Sequence, residues 1–365
     1  MSGFDFRAAQ QRARRASALL VLGFTVLVVV IGGALGLLAS VLLHMRGGDE
    51  TLTFSLHLPT VLVTAGLIIG AISLVALIRV ATLGGDGATV ARALGGEEVT
   101  EQATNPYQRR YLNVVQEMAI AAGLPPPRAF VVRNEAGINA FAAGGDPSRA
   151  AIGVTHGALA RLNRAELSGV IGHEMAHIAH YDTRLNTRLM GMVFGLVILH
   201  WIGRSMLRAS RFRGGGRGGG KGMALIAVLA ISLFILSLVG VLAGRILQSA
   251  VSRRRESLAD AGGVQFTRNP QGLAQALKKI GASSAGSRMA NPHAEEARHM
   301  FFAEAAGGFA GLFATHPPLL ARIRALEPDF DPERDPVWRM DDRAMLKDAR
   351  LALRSPSLIP DSGAD

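Results

Sequence analysis

Residues 164–182 read Arg-Ala-Glu-Leu-Ser-Gly-Val-Ile-Gly-His-Glu-Met-Ala-His-Ile-Ala-His-Tyr-Asp. The stretch predicts a helix from Arg164 to about Tyr181, with apolar residues on one side of its first turns. His173 and His177 are four residues apart, so on that helix both imidazoles share a face and reach one metal ion. Glu174 is rotated by about 100° from His173 and projects beside such an ion, where a general base must stand. Zinc would lower the pKa of a bound water towards neutrality. By composition alone the five-residue pattern arises in roughly 1–2% of chains of this size, so alone it is a hypothesis. The competing reading is a solvated helix with incidental histidines.

A catalytic zinc needs a third protein ligand and one open position. The chain has no cysteine, which removes thiolate ligands, cysteine nucleophiles and disulfides, and leaves His, Asp and Glu. Glu256 is the best candidate, in Ser252-Arg253-Arg254-Arg255-Glu256-Ser257-Leu258-Ala259-Asp260. Glu256 and Asp260 share a helix face. One carboxylate could hold zinc while the other accepts a hydrogen bond from a ligand imidazole. A surface helix on which Arg253 or Arg255 pairs with these acids explains the spacing equally well.

Outward from the motif the chain is apolar. Hydrophobic residues make up 49% of it and charged residues 18%, a balance that suits a membrane protein. The uncharged run from Ala16 to Leu43 would extend about 42 Å as a helix, more than the hydrocarbon core. It is too long for a signal peptide's apolar region. Leu58 to Ile78 is a second run of spanning length. Leu189 to Gly203 is short for a span, and Gly222 to Gly244 is long enough. Arg7, Arg12, Arg14 and Arg15 precede the first run, Arg46 alone lies in the next loop, and Arg79, Arg92, Arg109 and Arg110 follow the second. This bias puts the N-terminus and the region after residue 79 in the cytoplasm. The net charge of +11 fits basic loops at a membrane better than a nucleic-acid surface, because no aromatic-interleaved basic face accompanies it.

Residues 84–104 read as a Gly-, Glu- and Thr-rich linker. A helix starts at Asn105 and Pro106 and stops at Gly123. Short strands are expected at Ala129–Val132, Asn139–Ala142 and Ala150–Val154. Later helices are expected around Arg245–Gly262, Gln271–Ile280 and Leu319–Leu326, with a polar tail from Pro356.

His173 to His177, followed by Asp182 and then by Ser252-Arg253-x-Arg255-Glu256-x-x-Ala259-Asp260, resembles the HtpX-like membrane metallopeptidases. These are relatives of the CAAX prenyl endopeptidases among the glutamate-ligand zincins. Ile138-Asn139-Ala140-Phe141-Ala142 resembles that family's edge-strand motif, and Thr315-His316-Pro317-Pro318 with Arg322-Ile323 resembles its C-terminal motif. Ser257 departs from the pattern, which usually has an aromatic residue there. The resemblance implies a mainly α, polytopic membrane protein carrying an α+β zincin-like domain with a small sheet. It implies one zinc ion per chain on His173, His177 and Glu256, with Glu174 as base and Asp260 in support. Asn139 and Ala140 would pair with an extended substrate backbone. His316 would help stabilise the oxyanion. Asp182 would cap or orient the end of the motif helix, and His180 reads as structural. It also implies a bacterial inner-membrane protease facing the cytoplasm, acting on membrane or misfolded polypeptides in quality control and stress response, with the lipid bilayer as its other partner and no nucleic acid.

The organisation expected is a two-span membrane region (1–83), a first protease part (84–188), two apolar segments joined by a Gly/Arg-rich loop (189–244), a second protease part with Glu256 (245–330), and a tail (331–365). To share one ion, His173 and Glu256 must share a compartment, so residues 188–245 cross the membrane twice or not at all. The basic loop 204–221 argues against crossing, and 189–203 is then buried or re-entrant. Two other classes compete: a non-catalytic zinc-binding scaffold and a four-span transporter. The near absence of ionisable residues in the apolar runs, His200 apart, weighs against transport.

Overall fold

The structure is a computed structural model and describes residues 6–44, 46–47, 52–53, 55–83, 85–213, 221–283, 302 and 317–354. The chain divides into two compact units, one of residues 10–84 and 185–251, the other of residues 1–9, 85–184 and 252–365.

The first unit is helical. Helices α1 (Phe6–Leu43) and α2 (Leu58–Leu83) are joined through a two-stranded ladder, β1 (Arg46–Gly47) and β2 (Leu52–Thr53). It also takes most of α7 (Asp182–Arg213) and the first part of α8 (Lys221–Thr267). All four helices are long and apolar enough to cross a membrane. Phe24, Ile31, Leu35, Ile72, Leu196 and Val241 form their shared core. Large apolar side chains also face outwards, among them Leu62, Leu67, Leu77 and Ile235. A water-facing surface rarely shows such a patch, whereas lipid accepts it. Glycines set the close approaches: a Cβ on Gly36 would fall 2.5 Å from the Val61 carbonyl oxygen, and one on Gly195 2.9 Å from that of Ile72.

The apolar run 189–203, short for a span by itself, lies inside α7. No proline interrupts residues 182–213, so the polar flanks simply continue the helix to about 48 Å. In the same way, the helix expected from Arg245 is the end of the 47-residue α8.

The other unit is α+β. Its sheet has the order β3-β4-β6-β5, from β3 (Gly96–Val99), β4 (Arg128–Val132), β5 (Ala140–Ala143) and β6 (Ala151–Thr155). Only β4 and β6 are parallel. One face packs on α4 (Pro106–Ala122), α6 (Arg164–Ala179) and α9 (Pro270–Ala282), through Val131, Ile152, Val154, Val115, Ile171 and Leu277. The other is covered by α3 (Gly87–Ala93), whose Ala88 and Ala91 meet Phe130 and Phe141. With both faces covered, the strands read as unbroken apolar runs.

Residues 84–104 therefore do more than link, since they contribute α3 and β3. Their composition misleads because the two outward glutamates of β3 are satisfied across the sheet, Glu98 by Arg128 and Glu97 by Arg133. The helix from Pro106 starts and stops as expected: Asn105 accepts from the Tyr107 amide, and Gly123 ends it in the left-handed region at φ 66°. Short α5 (His156–Arg161) follows β6. The C-terminal stretch adds α10 (Leu319–Leu326) and α11 (Asp342–Arg354), where Met345 is fully buried.

Candidate active site

The site is built on α6. Asn163 and Glu166 form a capping box: the Glu166 amide donates to Asn163 Oδ1 at 3.0 Å and the Asn163 amide donates to Glu166 Oε2 at 2.8 Å. Glu166 is tied in turn to the buried Lys279 of α9, at 2.8 Å. This fixed start sets the rotation of the helix, which turns His173 and Glu174 into the unit's interior at 0% and 1% exposure. His180 caps its end, and Tyr181 turns the chain into α7 with φ 58°.

Glu256 arrives from α8. His173 Nε2 and His177 Nε2 are 3.1 Å apart, and Glu256 approaches them with Oε2 at 3.5 Å and Oε1 at 3.4 Å. Ligand atoms about 2.0–2.1 Å from a tetrahedral zinc stand about 3.3–3.4 Å from one another, so the three fit such an ion. Among the described residues, these three are the group able to hold a metal.

The outer nitrogens of the two rings support that fit. His173 Nδ1 lies 2.8 Å from Asp260 Oδ1, and His177 Nδ1 lies 2.9 Å from Asp182 Oδ2. A carboxylate at Nδ1 fixes the proton there and turns the Nε2 lone pair inwards. Two inward lone pairs at 3.1 Å repel unless positive charge lies between them. Burial pushes both imidazole pKa values down, but Asp260 and Glu256 at His173, and Asp182 and Glu256 at His177, outweigh it and raise both. The pocket draws in a proton or a metal cation.

Each supporting carboxylate has an arginine behind it. Arg322 holds Asp260 with two bonds, Nη2 to Oδ1 at 2.7 Å and Nε to Oδ2 at 3.0 Å. Arg255 donates to Asp182 at 2.6 Å. Arg255 reaches Asp182, 73 residues back, a partner that spacing does not indicate. Sequence reasoning gave Arg322 no role of its own, and no local spacing ties it to Asp260.

Asn139 immediately precedes the edge strand β5, and Ala140 is its first residue. Asn139 C=O accepts from the Thr155 amide of β6, so alternation along the strand turns Ala140's main-chain groups outwards. Both are engaged within the chain: the Ala140 amide donates to Asn139 Oδ1 at 2.9 Å, and its carbonyl accepts from the Phe302 amide at 2.9 Å. The Phe302 ring meets His173 edge-on at 4.9 Å. His316 lies outside the described residues.

Residues 106–329 match the family model described as Peptidase family M48. A protein named Protease HtpX homolog from Leuconostoc citreum is 34% identical over 323 residues, 87% of this chain and 97% of that one. One of the same name from Caldanaerobacter subterraneus subsp. tengcongensis is 44% identical over 216 residues, 59% of this chain and 70% of that one. The crystal structure of S. mikatae Ste24p aligns with a TM-score of 0.39 at 16% identity, over 73% of this chain and 64% of that one. This chain belongs to peptidase family M48, as a membrane metalloprotease of the HtpX-like kind.

Proposed function

We propose that the chain is a zinc-dependent endopeptidase that cuts membrane or misfolded polypeptides on the cytoplasmic side of a bacterial inner membrane. The observation that carries this reading is the convergence of His173 Nε2, His177 Nε2 and Glu256 within 3.5 Å of one another. Family membership supports a polypeptide substrate. The four apolar helices support substrates met at the bilayer, and the arginine bias around the first two supports the cytoplasmic side.

Zinc, when bound, supplies a Lewis acid that polarises the scissile carbonyl and makes water acidic enough to ionise near neutral pH. Glu174, buried beside His173, takes the proton of the attacking water and returns it to the leaving amine nitrogen. Asp260 and Asp182 hold the imidazoles in the tautomer that offers Nε2. The edge of β5 orients an extended substrate next to α6 through main-chain pairing, which selects for extended backbone more than for sequence. Since the main-chain groups of Ala140 are engaged within the chain, Asn139 and Ala140 mark where that pairing starts, and the later residues of β5 carry it. His316 would donate to the developing oxyanion.

The test is detergent-purified full-length protein assayed for metal and for casein cleavage, before and after chelation and zinc return. Glu174→Gln is expected to keep one zinc per chain and to lose cleavage by about a thousandfold or more. Full cleavage in that variant would end the mechanism, and a parent protein without zinc would end the metal assignment.

A further inference from the structure

Asp182 opens α7 and Arg255 lies in α8, one residue before Glu256. They meet beside the metal cluster, where Arg255 Nη1 donates to Asp182 Oδ1 at 2.6 Å while Asp182 Oδ2 faces His177 Nδ1 at 2.9 Å. Their side chains are 9% and 2% exposed, so solvent screens the pair little. The arrangement repeats on the other imidazole, where Arg322 holds Asp260 and Asp260 holds His173. Each ring is fixed by a carboxylate, and each carboxylate by a guanidinium.

We propose that Arg255 is a positioning residue for the metal centre, acting through Asp182 to fix the His177 imidazole. It touches neither metal nor substrate. A buried carboxylate deprived of its guanidinium swings towards whatever donor remains, and the imidazole bonded to its second oxygen turns with it. Because Arg255 and Glu256 are consecutive on α8, the contact that sets the His177 ring also fixes the helix turn that carries Glu256. Two of the three candidate ligands are thus aligned by one ion pair. The inference rests on the zinc reading above.

The experiment measures the zinc dissociation constant of the full-length protein in detergent, by competition with a chromophoric chelator. The visible spectrum of the cobalt-substituted protein reports ligand geometry directly. Arg255→Met is expected to weaken zinc by about 10–100-fold and to alter the cobalt bands, while Arg255→Lys stays within about threefold of the parent. In an Asp182→Asn background, Arg255→Met is expected to cost less than about threefold more, because the group it acts through is already gone. Zinc affinity of Arg255→Met within about threefold of the parent, or an equal loss in both backgrounds, would overturn the proposal. Arg255→Gln, which keeps a donor and most of the size, is read in the same way if the methionine variant aggregates. If neither folds alone, folding of Arg255→Met in the Asp182→Asn background still supports action through Asp182, and failure there overturns it. A parent protein that binds no zinc removes the zinc reading itself, an outcome distinct from a zinc-binding parent with indifferent Arg255 variants.

Discussion

Gly263 of α8 lies directly against Gly172 of α6: a Cβ on Gly172 would fall 3.2 Å from the Gly263 carbonyl oxygen, and one on Gly263 would fall 2.9 Å from the His173 backbone nitrogen. The neighbouring Gly262 allows a similar approach, since its Cβ would meet that of Ala176 at 2.7 Å. These contacts bring the two helices close enough for Glu256, two turns earlier on α8, to reach rings carried by α6.

Gly263→Val therefore tests how the third ligand is placed. The added side chain must displace backbone, not a flexible side-chain tip, at a cost of about 1–3 kcal/mol. It should lower the melting temperature in detergent and reduce bound zinc below one per chain, although all three ligand residues remain. A Gly263→Val protein with full zinc occupancy would show that the helix contact does not set the ligand position.

Asp260→Asn separates tautomer control from ligation. The amide keeps the size of the side chain, but it no longer offers Arg322 and His173 a shared anionic acceptor. Zinc affinity is expected to fall by about 10–100-fold, with the fold retained. Chelator competition reads this directly, and an unchanged dissociation constant would remove Asp260 from the metal centre.

Much of this site could be read from local spacing. The i,i+4 pair His173 and His177 and the i,i+4 pair Glu256 and Asp260 need only helical periodicity, which is why both appear before any tertiary information. Asn105 and Gly123 likewise mark the ends of α4 by local chemistry. Arg255 could not be assigned this way, because its partner Asp182 comes from another helix. Lys278 and Lys279 have distant partners too. Each is 1% exposed and held by carboxylates: Lys278 by Glu327 and Asp335, Lys279 by Glu166 and Asp348. The strand β3 escaped notice because its glutamates are paid for by cross-strand arginines that no window of sequence contains.

The continuity of α7 bears on topology. By length and composition α7 is a candidate span over Asp182–Ala209, and its uncharged stretch is the 15 residues 189–203. The expected outcome is that residues 188–245 cross twice, which puts Ser210 outside the cytoplasm. Since the chain has no native thiol, Ser210→Cys gives a single reporter. It should react with a membrane-impermeant maleimide added to the periplasmic face of spheroplasts. Reaction only in inverted vesicles would return the hairpin to the cytoplasmic side.

Lys278 and Asp335 provide a pH-dependent contribution to stability away from the metal. The Lys278 ammonium lies 2.7 Å from Asp335 and 2.7 Å from Glu327, and 5.0 Å from the centre of the Phe330 ring. Burial would raise the Asp335 pKa, but its bonds from Lys278 and from the Trp338 and Val337 amides hold it below the ordinary carboxylate value. A carboxyl whose folded pKa lies below its unfolded value of about 3.9 stabilises the fold fully above that value and loses its contribution as pH falls through the folded pKa. Asp335→Asn should therefore cost about 1–3 kcal/mol at neutral pH, less than breaking an isolated buried pair because Glu327 remains. The gap between parent and variant should close as the pH is lowered below about 4. Melting curves of both proteins in one detergent, from pH 7 down to 3, decide the matter: a gap that stays constant across that range would mean that the ionised carboxylate is not what holds Lys278 in the core.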